Sequence, residues 1–511
     1  MAKNLTTSAL RRVALWSPQS SYDDADIIYS TDGFTLELER LRRGAAWLVL
    51  GRKGIGKSAL IHKFQATYKK EILSRKKEFD PAILHSRLKY FDKSFSVANA
   101  AQAFKLDILL LAANELAFHS DDKELKRAAT SIGAYYDKKW RKLASSAMSF
   151  RSLFAFLLSY VLPQSALDSL LSSSALFRDP AAVEAALTMT TNALRLVFQT
   201  IGESRPVFII FDEIDLRLGQ QKGSPLLVEY LDALKGLLAA CSSFDDVRQL
   251  GIPIYPIVVL RSDIYAKVEG ADHNKWQSSA ARVTYKEQEV KEILRHRLGT
   301  ELVKSGAASH TMDRSFDEVW STYVDASKLL INNKTIVRGV FERSFLRPRD
   351  IVYFMKLLST NCVKRPNAAK ITPTDFNNSR ADYARYFLGE LKDELGYLYA
   401  FSDRLEEVFF DLFFPAVAGK VTFRNLVVPG QVRAEFERLK GSVQKGGGPG
   451  FEVEDLIDDL IERSVFGVQV RTTAGLKEVY EYSSDKSFRL KDAEAVCLHN
   501  AISDYFQARV K

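Results

Sequence analysis

Gly51-Arg52-Lys53-Gly54-Ile55-Gly56-Lys57-Ser58 matches the pattern G-x-x-x-x-G-K-[ST] at every fixed position. Ahead of it, Ala45-Ala46-Trp47-Leu48-Val49-Leu50 is a short apolar run suited to a buried parallel strand. Behind it, Leu60, Ile61, Phe64 and Tyr68 recur at helical spacing. Strand, glycine loop and helix together make a cradle for phosphate. The glycines let backbone N–H groups converge on the anion, and the helix N-terminus adds partial positive charge. Gly51, Arg52, Lys53, Gly54, Ile55, Gly56, Lys57, Ser58 and Ala59 are the candidate binding loop. Lys57 is expected to reach the β- and γ-phosphates, and the Ser58 hydroxyl to ligate magnesium.

A phosphate cradle that does chemistry needs acids opposite it. Pro206-Val207-Phe208-Ile209-Ile210-Phe211-Asp212-Glu213-Ile214-Asp215 supplies them. Its unbroken apolar row predicts a strand buried on both faces. Asp212 and Glu213 then fall at the carboxyl edge of the sheet, where open α/β folds bind ligands. Asp212 is assigned to the magnesium shell and Glu213 to the general base that polarises water. Asp215 reads equally as a helper or a helix cap.

A further strand, 252–260, ends in Arg261-Ser262-Asp263. An arginine at that tip points toward a γ-phosphate and stabilises charge there; the competing reading is an ion pair with Asp263. Arg282-Val283-Thr284-Tyr285 reads as the last short core strand. Beyond it, Leu346-Arg347-Pro348-Arg349-Asp350-Ile351 places proline at a helix start between two arginines. Arg349 is preferred as the cation turned back toward the nucleotide, with Arg347 as the alternative.

At 511 residues the chain is too long for one core. The expected division is a lead-in at 1–44, an α/β core at 45–285, a helical lid at 286–374 and a C-terminal domain at 375–511. In the core, 82–88 is a candidate strand. Helical periodicity at 104–119, 122–143, 149–162 and 181–202 predicts an inserted helical subdomain at about 95–205. The C-terminal domain reads as helices 375–398, 405–414, 431–440 and 453–464, followed by strands at 465–471 and 478–482. Three helices and a hairpin suggest a winged helix-turn-helix. Its third helix carries Glu452, Glu454, Asp455, Asp458, Asp459 and Glu462 against Arg463 alone. Phosphate-walled grooves repel such a helix, so the module reads as a protein-contact or intramolecular element.

The net charge of +9 is unevenly placed. Residues 59–200 hold 20 Lys and Arg against 13 Asp and Glu, whereas 401–511 hold 15 against 18. Within the basic part, Tyr135 and Tyr136 precede Lys138-Lys139-Trp140-Arg141-Lys142. The 123–142 region therefore either holds nucleic acid or is a solvated helix face with Trp140 turned inward. Cys241, Cys362 and Cys497 fit no zinc or redox spacing and read as buried thiols of a reducing compartment. No apolar run approaches the ~20 residues of a membrane span. These features describe a cytoplasmic protein.

Taken in order, the phosphate loop, Asp212-Glu213, Leu260-Arg261-Ser262-Asp263-Ile264-Tyr265 and Arg347-Pro348-Arg349-Asp350-Ile351 resemble the AAA+/STAND lineage of P-loop ATPases, which includes the origin-recognition ATPases. The resemblance is nearest to a bacterial group of stand-alone P-loop ATPases and runs from about residue 30 onward. It implies a five-stranded parallel core, a helical lid and a C-terminal winged helix. It further implies hydrolysis of ATP with Mg2+, coupled to a conformational switch within a homo-oligomer. Arg261 carries over as the core sensor and Arg349 as the lid sensor. Arginine at 261, where many AAA+ proteins have Asn or Thr, leans toward STAND signalling, and so toward a separate effector protein, as in bacterial antiviral defence. The alternative expectation is an initiator-like ATPase gripping DNA through the basic insertion and winged helix. The large basic insertion and the lack of an evident arginine finger depart from the lineage.

Overall fold

The computed structural model describes residues 2–17, 28, 31–78, 97–119, 123, 127, 180–202, 205–214, 226–268, 270, 272–330, 333–366, 368–396, 399, 404–417, 420–445, 451–472, 475–480 and 488–510. The fold is α/β, and the chain forms two compact units. A sheet unit comprises Asp32–Arg52 and Lys57–Val283. A terminal unit comprises Met1–Thr31, Lys53–Gly56 and Thr284–Lys511.

The sheet unit is built on five parallel strands: β1 (Leu48–Gly51), β2 (Leu73–Glu78), β3 (Val207–Asp212), β4 (Ile254–Arg261) and β5 (Ala280–Arg282). Their order across the sheet is β2-β3-β4-β1-β5. All six residues of β3 are buried, as an unbroken apolar run between covered faces requires. The longer helices that accompany the strands are α1 (Asp32–Arg42), α2 (Lys57–Thr67), α3 (Val97–His119), α4 (Pro180–Ile201) and α5 (Leu226–Ser242).

Three features differ from the sequence reading. The neighbour of β3 is Leu73–Glu78, whereas the expected strand at 82–88 lies outside the described residues. β5 starts two residues before the expected Arg282, because Ala280–Arg282 pairs with Leu48–Leu50. Helix α3 packs against β2, β3, α4 and α5, burying Leu106, Ile108, Leu109, Ala112, Ala113 and Leu116. An apolar helix of this kind belongs to the core. The 97–119 part of the expected insertion is therefore core, and Lys138, Lys139, Trp140, Arg141 and Lys142 lie outside the described residues.

The α3–α5 contact is tight at one point. A Cβ added to Gly236 would lie 2.5 Å from the Cβ of Ala100. Gly236→Ala is expected to push these helices apart and cost about 1–3 kcal/mol. Urea unfolding measures this, and an unchanged midpoint would mean the two helices are not held at this spacing.

In the terminal unit, the N-terminal helix Ala2–Val13 buries Ala9, Leu10 and Val13. It packs on α6 (Glu287–Lys304), where Arg12 meets Glu301 at 2.6 Å and Trp16 donates to the same carboxylate at 3.3 Å. This helix was not foreseen. Next come α7 (Phe316–Tyr323), α8 (Pro348–Lys364) and α9 (Pro373–Gly396). Pro348 occupies the first turn of α8, where its missing N–H has no partner to lose.

The C-terminal part holds α10 (Leu405–Phe413), α11 (Pro429–Lys445) and α12 (Val453–Glu462). After them comes an antiparallel sheet, built from β6 (Phe466–Thr472), β7 (Gly475–Val479) and β8 (Ala495–Leu498) in the order β8-β6-β7. β8 was not expected from the sequence. The last helix, α13 (Asn500–Val510), packs on α9. The acids around α12 are engaged within the unit: Arg433 pairs with Glu454, Lys440 with Glu452, and Tyr399 donates to Asp459. The backbone N–H of Leu490 donates to Asp458.

Candidate functional site

In the sheet unit, β4 lies between β1 and β3 and sets their register. Gly51 pairs with Arg261, and Phe211 pairs with Val258. Parallel strands all present their carboxyl ends to one edge, so Gly51, Arg261 and Asp212 end along the same side. Past Gly51 the backbone turns through Gly54 at φ +76° and Gly56 at φ +105°, a region L-residues rarely adopt, and α2 begins at Lys57. The Lys57 ammonium donates to the carbonyls of Gly51 and Arg52, both at 3.0 Å, and so stays over the loop.

At the end of β3, Asp212 is 2% exposed. Its Oδ1 accepts the backbone N–H of Glu213 at 2.9 Å, and its Oδ2 lies 3.0 Å from the Lys76 ammonium. Glu213 is about one-third exposed and has φ +60°. A glutamate in left-handed backbone costs on the order of 1 kcal/mol, and such outliers gather at functional positions.

Arg261 is 1% exposed and grips Asp263 bidentately, Nε to Oδ1 at 3.0 Å and Nη2 to Oδ2 at 2.5 Å. The ion pair raised as the competing reading is therefore present, but buried at the strand tip.

The two arginines that flank Pro348 differ in surroundings. Arg347 is 2% exposed, pairs with Asp350 at 2.7 Å and Glu394 at 2.5 Å, and donates to the Lys53 carbonyl at 3.1 Å. Burial works against its charge, yet Asp350 and Glu394 outweigh that and raise its pKa. Arg349 is 30% exposed and meets Glu390 at 3.3 Å. The same Glu390 takes Lys53 at 3.3 Å. A Cβ on Gly54 would touch the Arg349 stem at 3.4 Å, so the loop glycine admits this arginine closely. Arg347 is thus occupied by a buried network, whereas Arg349 keeps an accessible guanidinium. Asp215 lies outside the described residues.

Ser58 and Asp212 offer hard oxygen donors, the kind magnesium takes one or two of before phosphates and water complete its shell. Asp212 Oδ2 is buried and accepts no hydrogen bond from the described residues, since the Lys76 contact is an ion pair without hydrogen-bond alignment. That leaves a lone-pair site on a carboxylate, and the residues fit the metal.

Sequence reasoning missed Lys76, Glu390 and Glu394. Lys76 sits in a strand too charged to be read as one. Glu390, Asp393 and Glu394 recur at i, i+3 and i+4 on α9, a spacing that marks one helix face.

None of the curated proteins matches the sequence. Residues 264–392, about a quarter of the chain, match the family described as the FunZ-associated C-terminal helical domain. Among solved structures the chain is similar to Cdc6p from Pyrobaculum aerophilum, at 13% identity over 94% of this chain and 93% of that one, with a TM-score of 0.28.

Proposed function

We propose that the chain binds ATP with magnesium, hydrolyses it, and uses the cycle as a switch on a partner protein. The observation that carries this reading is the convergence of three strand ends: the glycine loop after β1, the acid pair closing β3 and the arginine closing β4. Lys57 and the loop N–H groups would bind the β- and γ-phosphates. Ser58 and Asp212 would hold the metal, which supplies charge neutralisation to the phosphate oxygens. Glu213 would take the proton of the attacking water. Arg261 would report on the γ-phosphate, which requires its grip on Asp263 to loosen, and Arg349 would add positive charge from beside Gly54.

Assembly into a homo-oligomer, a separate effector partner, a setting in antiviral defence and a cytoplasmic location follow from the family resemblance and stand as parts of the proposal. No helix among the described residues is long and apolar enough to cross a membrane. The engaged acids around α12 favour an intramolecular or protein-contact role for the C-terminal module over DNA gripping.

The direct test is Lys57→Ala. Losing a charged contact to phosphate should weaken binding of a fluorescent ATP analogue by about 1.5–3 kcal/mol. Wild-type affinity in this variant would remove the phosphate-loop assignment.

A further inference from the structure

The ammonium of Lys76 stands where two acids of the proposed site meet. β2 lies beside β3, outermost among the described strands, pairing Lys76 with Ile210 and Glu78 with Asp212. Strand side chains alternate, so Lys76 shares a face with Ile210 and Asp212. Its backbone is level with a position two residues short of Asp212, about 6.6 Å along the strand. Only a long side chain crosses that gap. Lys76 does so, placing Nζ 3.0 Å from Asp212 Oδ2 and 3.7 Å from Glu213 Oε1.

Exposure differs sharply across this contact. The Asp212 side chain is 3% exposed and that of Lys76 33%. A carboxylate with almost no water of its own therefore has its charge balanced by a cation that reaches in from the solvent side. The contact lacks hydrogen-bond alignment, so the ammonium acts as a point charge on a flexible stem rather than as a fixed fork. Such a cation is well suited to being displaced. A magnesium ion bonded to Asp212 at about 2.1 Å would come within about 5 Å of an ammonium left in place, and the two positive charges would repel strongly.

We propose that Lys76 is a built-in counter-cation that competes with magnesium for Asp212 and thereby sets the metal affinity of the site. This rests on the reading of Asp212 as the metal carboxylate. Metal entry then requires the ammonium to withdraw toward solvent, and the site binds magnesium less tightly than its carboxylate alone would.

The test titrates MgCl2 into full-length protein saturated with a non-hydrolysable ATP analogue, followed by calorimetry. Lys76→Met keeps the apolar stem without the charge and should lower the magnesium concentration at half-saturation about tenfold, the size of one charge-assisted contact. Lys76→Arg retains the charge and should stay at or above the wild-type concentration. A second readout is thermal unfolding: Lys76→Met should melt lower than wild type without metal and gain more from it. Should Lys76→Met not fold, Lys76→Gln carries the same expectation. An unchanged half-saturation point would make Lys76 a structural pin, and a raised one would make it part of the phosphate cradle. Either overturns the inference alone. Wild-type protein that binds no nucleotide at any magnesium concentration would overturn the proposed function, and this inference with it.

Discussion

Glu213→Gln is expected to retain ATP while slowing its hydrolysis on the order of 100-fold or more. The substitution preserves size and reach, and Gln meets the same cost as Glu at φ +60°. What it removes is the negative charge, and with it the ability to accept a proton and the ion pair with Lys76 at 3.7 Å. Asp212, which receives the Glu213 backbone N–H, keeps that bond because the backbone is untouched. Phosphate release under single-turnover conditions, beside equilibrium binding of ATP, separates the two effects. Turnover equal to wild type would take Glu213 out of the mechanism. Retained binding with slow release would yield a trapped form suited to isolating the partner.

The largest effect on stability is expected from Arg347→Met. Arg347 is buried among Asp350 and Glu394, which are themselves buried. Removing the cation strands two carboxylates away from water, a change that typically costs about 3–5 kcal/mol. The loss should depend on pH with a definite sign. Burial already pushes the Asp350 pKa up, and Arg347 opposes that push without cancelling it. A carboxyl whose pKa is raised by folding holds its proton more tightly in the folded chain. Its contribution is complete at acid pH, below the ordinary carboxylate range, and is lost as pH rises through the raised folded value. Without Arg347 the rise grows, so the variant should be weakest near pH 8 and recover partly near pH 5. Denaturant unfolding at both values checks this. A loss below 1 kcal/mol, or one indifferent to pH, would mean that the network around Arg347 contributes little.

How much of this was legible depended on whether a residue's neighbours in sequence are also its neighbours in space. The strand, glycine turn and helix at 48–67 could be read because they are consecutive. β3 and β4 could be read because strands covered on both faces are apolar throughout. β2 could not, because Leu73–Glu78, outermost among the described strands, is of mixed polarity with Arg75, Lys76 and Lys77 in a row. Its apolar demand is low, and the periodic signal vanishes with it. Lys76 was invisible for the same reason. Glu390 and Glu394 escaped notice because their partners Lys53, Arg347 and Arg349 lie more than forty residues away in sequence. The difference in burial between Arg347 and Arg349 is recorded by no motif.

The helix at Ala2–Val13 has a consequence for how the chain is made. It leaves the ribosome ahead of its partner Glu301, which emerges 289 residues later. At 5–20 residues per second, that interval lasts roughly 15–60 s. Throughout it Ala9, Leu10 and Val13 have no partner surface from α6, while β1 through β5 emerge and can already pair. Synthesis thus favours completing the sheet before Ala2–Val13 meets α6, and it leaves a short apolar face for chaperones to shield in the meantime.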